Sequence, residues 1–90
     1  MYLIMYDIES NRTRSQFAKF LSKYGRRLQY SVFQIANSPR ILANLKTDII
    51  SEFAKRFCQG DSVLIYSVPD DSCVAKFGYP VNEETDLVLM

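Results

Sequence analysis

Residues 27–35 read RLQYSVFQI, and the way this stretch alternates decides the fold. Leu28 and Tyr30 share one strand parity, whereas Phe33 and Ile35 share the other. Successive side chains of a β-strand point to opposite faces, so one regular strand would send these two apolar pairs to opposite sides of a sheet. A bulge, a kink or a very tight hairpin near Ser31 removes the conflict. If the change of phase is a hairpin, the stretch counts as two strands.

Upstream, residues 2–8 (YLIMYDI) are almost continuously apolar, the pattern of a strand buried on both faces. The next segment, SNRTR, offers Ser10, Asn11 and Thr13 as helix N-caps, and Thr13 and Gln16 have capping-box spacing. Phe17, Phe20, Leu21 and Tyr24 follow at i, i+3, i+4 and i+7, which predicts an amphipathic helix stopped by Gly25. Downstream, Ser38-Pro39 opens a second helix with Ile41, Leu42, Leu45, Ile49, Phe53 and Phe57 on its core face and Gln59-Gly60 at its end. Residues 62–68 (SVLIYSV) and 73–79 (CVAKFGY) read as strands separated by a Pro69-Asp70-Asp71 turn. Residues 86–90 (DLVLM) are a last apolar run.

With the hairpin, the order is βαββαβ, an α+β sandwich of ferredoxin-like type that forms a single domain over residues 1–90. The terminal run has no room in that sheet, and an unpaired apolar edge strand is a liability. Residues 79–90 are therefore expected to pair with a second copy of the chain, giving a homodimer.

Composition closes off whole classes of chemistry. Ninety residues with 48% apolar character, six Phe and six Tyr build one core. The absence of His excludes Ser-His-Asp and Cys-His nucleophilic sites, a His general base and His metal ligands. Cys58 and Cys73 are too few for a disulfide framework or a zinc cluster, and read as small fillers in a reducing compartment. With no run of about eighteen apolar residues and no signal-peptide pattern, the expectation is a cytoplasmic protein without a membrane partner. No GxGxxG, P-loop or nucleophile elbow is present.

The net charge of +1 conceals a polarity. Residues 1–60 carry ten Lys or Arg against four acids, whereas residues 61–90 carry one Lys against six acids. No acid lies between Glu9 and Asp48, an interval holding Arg12, Arg14, Lys19, Lys23, Arg26, Arg27, Arg40 and Lys46. Such a stretch suits a polyanion; the blander alternative is a solvated helix face that lacks acids. At 100° per residue, Arg12, Gln16, Lys19, Lys23 and Arg26 form a stripe opposite the apolar face, while Arg14 projects on the apolar side.

Asp7 ends the most hydrophobic strand. A carboxylate buried there needs a pair, hydrogen bonds or a metal. It either caps the following helix or pairs with Arg14, or it binds Mg²⁺ or Mn²⁺, ions that take oxygen ligands. One Asp is a poor metal site in a monomer; two copies across a two-fold axis supply two carboxylates. A metal there would polarise a phosphate and generate hydroxide for phosphodiester attack, with Arg14 holding the phosphate. Glu9 reads as an exposed loop acid or a second ligand, and Tyr6, Tyr30 and Phe33 as core or interface aromatics or as base stackers. Asp70-Asp71 reads as a turn, and Glu83, Glu84 and Asp86 as a solvated tail.

YLIMYDI, a basic helix ending in KYG, then RLQYSVFQ, DSVLIYSV, a strand ending in GYP and an apolar terminal strand together resemble the CRISPR-associated Cas2 family over essentially the whole chain. The resemblance implies a ferredoxin-like two-fold dimer whose C-terminal strands extend the partner's sheet. It implies Asp7 as the metal-binding acid, met by its symmetry mate, and places the family's functional positions on Tyr6, Arg14, Arg27 and Phe33, with Ser31 near the site. Several relatives carry an Arg on the first helix where this chain has Gln16, which weakens the nuclease expectation. Two roles follow: a Mg-dependent endonuclease cutting RNA or DNA, and an adaptor in spacer acquisition that holds duplex DNA and bridges dimers of the CRISPR integrase subunit. Single-stranded RNA is the other candidate substrate. The cations Arg12, Arg14, Lys19, Lys23, Arg26 and Arg27, with Gln16 among them, are the expected duplex contacts. The rival readings are a stand-alone toxin endoribonuclease of the similar VapD group and a ferredoxin-like small-ligand regulatory domain.

Overall fold

The computed structural model describes residues 1–75, 77 and 78. Strand β1 is Tyr2–Asp7, helix α1 Asn11–Leu21, strands β2 and β3 Gly25–Gln29 and Val32–Ile35, helix α2 Pro39–Asp48, and strand β4 Ser62–Ser67. The strands form one antiparallel sheet in the order β2-β3-β1-β4. A hairpin joins β2 to β3, and each of the two other connections carries a helix. This is the ferredoxin-like βαββαβ arrangement.

The phase change in residues 27–35 has two causes. The chain turns at Tyr30 and Ser31, and the pairing shifts between Arg27↔Phe33 and Gln29↔Val32, leaving Leu28 as a bulge. Strand β1 holds this hairpin from beside it. The Tyr6 backbone N–H donates to the Ser31 carbonyl at 3.1 Å, and the Tyr6 hydroxyl donates to the Tyr30 carbonyl at 3.0 Å.

Both helices contribute to one core on one face of the sheet. Phe17 and Leu21 of α1, Leu45 of α2, and Ile49 and Phe53 just beyond it pack with Tyr2, Ile4, Tyr6, Phe33 and Ile35. Phe17 is its centre: its ring lies 5.0 Å from Tyr6 and 5.0 Å from Phe53, both edge-on. Strand β1 is consequently not buried on both faces. Tyr2, Ile4 and Tyr6 are buried, Leu3 and Met5 are half-buried, and Asp7 is exposed. Leu64 and Tyr66 of β4 pair with Met5 and Leu3 on this second, open face and are 52% and 49% exposed. The near-continuous apolar run thus supplies two different surfaces, only one of which the helices cover.

Helix α1 is capped by Ser10, whose hydroxyl oxygen accepts from the Thr13 N–H at 3.2 Å. It ends at Leu21, and Gly25 is not its stop but the first residue of β2. A Cβ on Gly25 would sit 2.0 Å from the Gln34 carbonyl oxygen. The glycine is required by close strand approach and not by a left-handed helix cap.

Helix α2 opens at Ser38, which accepts from the Ile41 N–H. It does not run unbroken to Gln59. After Asp48 the chain passes through a π turn, Ile49–Phe53, and a 3₁₀ turn, Ala54–Arg56. Four residues of α-helix overshoot a full turn by about 40°. The wider π turn removes that drift, so that Leu45, Ile49 and Phe53 all reach the core. Tyr24, past the end of α1, donates its hydroxyl to Asp48 at 2.9 Å and ties the two helix ends together.

The strand expected at residues 73–79 is absent from its described part. Asp71–Cys73 is a 3₁₀ turn, and Gly78 has φ +96°. Asp70 curls the chain by accepting from both the N–H and the hydroxyl of Ser72, which also hold its carboxyl below the usual range. The terminal run 86–90, and the pairing of residues 79–90 with a second copy, lie outside the described residues. Among the described residues no helix is long and apolar enough to cross a membrane.

Candidate functional site

Asp7 stands at the exposed end of β1, opposite Ser62 of β4. It neither caps α1, a role filled by Ser10, nor pairs with Arg14. The Arg14 guanidinium instead folds back over the β1–α1 loop. It donates to the Ile8 carbonyl at 2.9 Å, the Glu9 carbonyl at 3.3 Å and the Asn11 side-chain oxygen. Arg14 remains exposed and braces the loop that follows Asp7.

A second brace was invisible in the sequence. Both carboxylate oxygens of Asp61 accept backbone N–H groups, from Glu9 at 3.0 Å and from Cys58 at 2.8 Å. This fastens the start of β4 to the loop after β1. A DS pair after glycine gives no signal of such a long-range contact. Glu9 is an exposed loop residue.

The other expected site residues divide between two faces. Tyr6 and Phe33 are buried beneath the helices, with rings 6.3 Å apart and nearly parallel, and are not open to a stacked base. Arg27, paired opposite Phe33, lays its guanidinium over that ring at 5.3 Å. Its Nε is buried with no hydrogen-bond partner among the described residues. Ser31 is half-buried in the hairpin turn, its carbonyl taken by Tyr6. Tyr30 is 76% exposed, at the tip of the hairpin. Asp7 and Tyr6, adjacent in sequence, therefore project to opposite sides of the sheet.

No group of three or more His, Cys, Asp or Glu among the described residues is arranged to hold a metal ion. The donors of a single chain thus do not fit a resident Mg²⁺ or Mn²⁺; Asp7 alone is one monodentate or bidentate ligand.

The basic stripe is shorter than helical periodicity implies. Arg12, Gln16 and Lys19 lie exposed on α1, but the helix stops before Lys23 and Arg26. Lys23 sits in the turn after it, and Arg26 is exposed in β2, opposite Gln34. No acid occupies the first turn of α1, and Lys19 occupies its last. Arg56 joins this surface from beyond α2 by donating to the Gln16 side-chain oxygen. Arg12, Gln16 and Lys19 were legible as an exposed stripe; Arg56, forty residues away, was not.

The fold has counterparts among known proteins. The family model for CRISPR associated protein Cas2 matches residues 1–75. The chain belongs to the Cas2 family. A protein of Thermodesulfovibrio yellowstonii named CRISPR-associated endoribonuclease Cas2 2 is 32% identical over 77 residues, which cover 86% of this chain and 81% of the relative. A Rhodospirillum rubrum protein of the same designation, Cas2 4, is 40% identical over 60 residues, covering 56% of this chain and 48% of that protein. Among solved structures, a hypothetical protein from Thermus thermophilus superposes with a TM-score of 0.69 at 31% identity, covering 88% of this chain and 90% of that one. Streptococcus pyogenes Cas2 gives 0.70 at 23% identity, covering 86% and 98%, a likeness of fold. Membership of the Cas2 family accounts for the ferredoxin-like order read from the sequence.

Proposed function

We propose that this Cas2 family member acts in CRISPR spacer acquisition as a homodimer that binds duplex DNA and bridges dimers of the integrase subunit, with metal-dependent endonuclease activity at paired Asp7 carboxylates. The observation that carries this reading is the open face of the sheet. Asp7 lies at the end of the β1 side that bears the half-buried Leu3 and Met5 and the exposed Leu64 and Tyr66. An apolar sheet face of this kind invites a covering surface, and a second copy supplies an identical one across a two-fold axis. Two copies then provide two Asp7 carboxylates, the oxygen donors that Mg²⁺ or Mn²⁺ takes, and the ion when bound neutralises phosphate charge. The chain's own part is to hold Asp7 solvent-facing at the end of β1, outside the Tyr6–Phe33 core and beside a loop braced by Arg14 and Asp61.

The exposed cations Arg12, Arg14, Lys19, Lys23 and Arg26 support duplex binding through phosphates, contacts that carry no sequence information. Affinity for a short duplex should fall by orders of magnitude between low and moderate salt. Asp7→Ala should abolish Mg²⁺-dependent cleavage of RNA or DNA and leave duplex affinity intact. A flat salt response rejects the binding role, and equal loss of cleavage and binding assigns Asp7 to structure instead.

A further inference from the structure

The stripe on α1 has a neutral gap. Gln16 lies four residues from Arg12 and three from Lys19, so it sits between two cations on one helix face. Arg12 and Lys19 are seven residues apart, about 10 Å along the helix axis. A stripe with cations only at its ends carries no charge of its own at its middle.

Arg56 fills that gap from another element. Its NH2 donates to the Gln16 side-chain oxygen, and its guanidinium carbon lies 5.1 Å over the Phe53 ring. Phe53 is itself locked in the core. One donor and one face of the guanidinium are therefore fixed by groups that carry no charge. Arg56 is exposed, so its positive charge and its remaining donors face solvent in a set position. A guanidinium held this way has already given up much of the side-chain freedom that a surface arginine loses on gripping an anion.

We infer that Arg56, seated on Gln16 and Phe53, is a phosphate-binding residue of the duplex surface and completes the α1 stripe between Arg12 and Lys19. The inference rests on the duplex-binding reading above and names a contact that the stripe on α1 does not contain. The amide of Gln16 is a positioning group in this arrangement: it orients the Arg56 fork without neutralising it, which a carboxylate at that place would do.

The test is the salt dependence of binding to a short mixed-sequence DNA duplex by the full chain, titrated without added divalent metal. Removing one phosphate contact lowers the slope of log affinity against log salt by about 0.9. Arg56→Gln removes one contact from each protomer of the dimer, so it should show twice that loss of slope, about 1.8, and an affinity drop of about fivefold at moderate salt. Arg56→Lys should keep the slope, because the charge remains, but lose affinity, because the fork is gone. Gln16→Ala should likewise keep the slope and weaken binding by about twofold. A wild-type protein that binds steeply, with an Arg56→Gln slope indistinguishable from it, overturns the role of Arg56 alone. A wild-type protein without salt-dependent duplex binding overturns it together with the reading it rests on. Thermal melting of each variant checks the fold; if Arg56→Gln is unfolded, the Arg56→Lys and Gln16→Ala pair decides the question, and unchanged affinity in both overturns the proposal.

Discussion

Gly25→Ala isolates the contact that sets the β2–β3 hairpin. The added Cβ meets the Gln34 carbonyl oxygen at 2.0 Å, the Gln34 carbonyl carbon at 2.9 Å and Ile35 Cδ1 at 2.7 Å. Ordinary C···O contacts begin at about 3.3 Å, so the first of these is short by more than 1 Å. The obstructing atom is backbone, in the strand paired to Gly25, and a rotamer change cannot move it. Strand β2 must shift away at its first residue or the Gly25↔Ile35 pairing must open, and Ile35 is fully buried. Forced overpacking typically costs 1–3 kcal/mol, and a backbone clash of this depth belongs at the upper end, about 3 kcal/mol. A chain of ninety residues has roughly 5–13 kcal/mol of stability in total, so the loss is between about a fifth and three fifths of it. The melting temperature should fall by about 12–24 °C, read by circular dichroism and checked by urea unfolding. Gly60→Ala is the internal comparison. Its φ of +97° strains an L-residue, but nothing lies within 4 Å of the new Cβ, so about 1 kcal/mol is expected. If Gly25→Ala unfolds within 0.5 kcal/mol of the parent, or costs less than Gly60→Ala, the close-approach argument is wrong.

The remaining predictions concern the helix tie and the loop brace. The Tyr24 phenol is raised above its ordinary value of 10.0, first by its hydrogen bond to Asp48, then by burial and by the charges of Asp48 and Glu52. A raised folded-state value means that this contact stabilises fully below about pH 10 and is lost as pH climbs through the raised value. Tyr24→Phe should therefore be less stable at neutral pH, by about 1 kcal/mol, and should lose less stability than the parent in unfolding curves taken above pH 10. Asp61→Ala leaves the N–H groups of Glu9 and Cys58 without their acceptor. It should cost about 1–2 kcal/mol in urea unfolding and speed amide hydrogen exchange at Glu9 in particular.

Local chemistry made much of this structure legible. The segment SNRTR and Ser38 announce helix starts by residue type, the run 2–8 announces a strand, and the parity conflict between Tyr30 and Phe33 announces a break in the strand, as a bulge, a kink or a hairpin. What stayed hidden depends on contacts between distant residues. Gly25 follows an apolar helix and so looks like its stop, but the carbonyl of Gln34 is what demands a glycine. The apolar spacing of Leu45, Ile49 and Phe53 fits an α-helix well enough that the π turn leaves no mark. At the site, Asp7 was legible as unusual, but its environment was not. It is exposed, and Arg14 serves backbone carbonyls in place of a carboxylate. Lys23 and Arg26 joined the stripe only under the assumption of an unbroken helix, and Asp61 and Arg56 gain their roles from partners 52 and 40 residues away.

The opposed orientations of Tyr6 and Asp7 tie the function of the first strand to its length. Unless a bulge absorbs it, as at Leu28 in β2, deleting or inserting a single amino acid between Tyr2 and Tyr6 would swing the carboxylate into the aromatic interior and turn a phenol out to water. A change of length is absorbed more cheaply in an open segment such as the turn at Gly60, where nothing lies within 4 Å of an added Cβ.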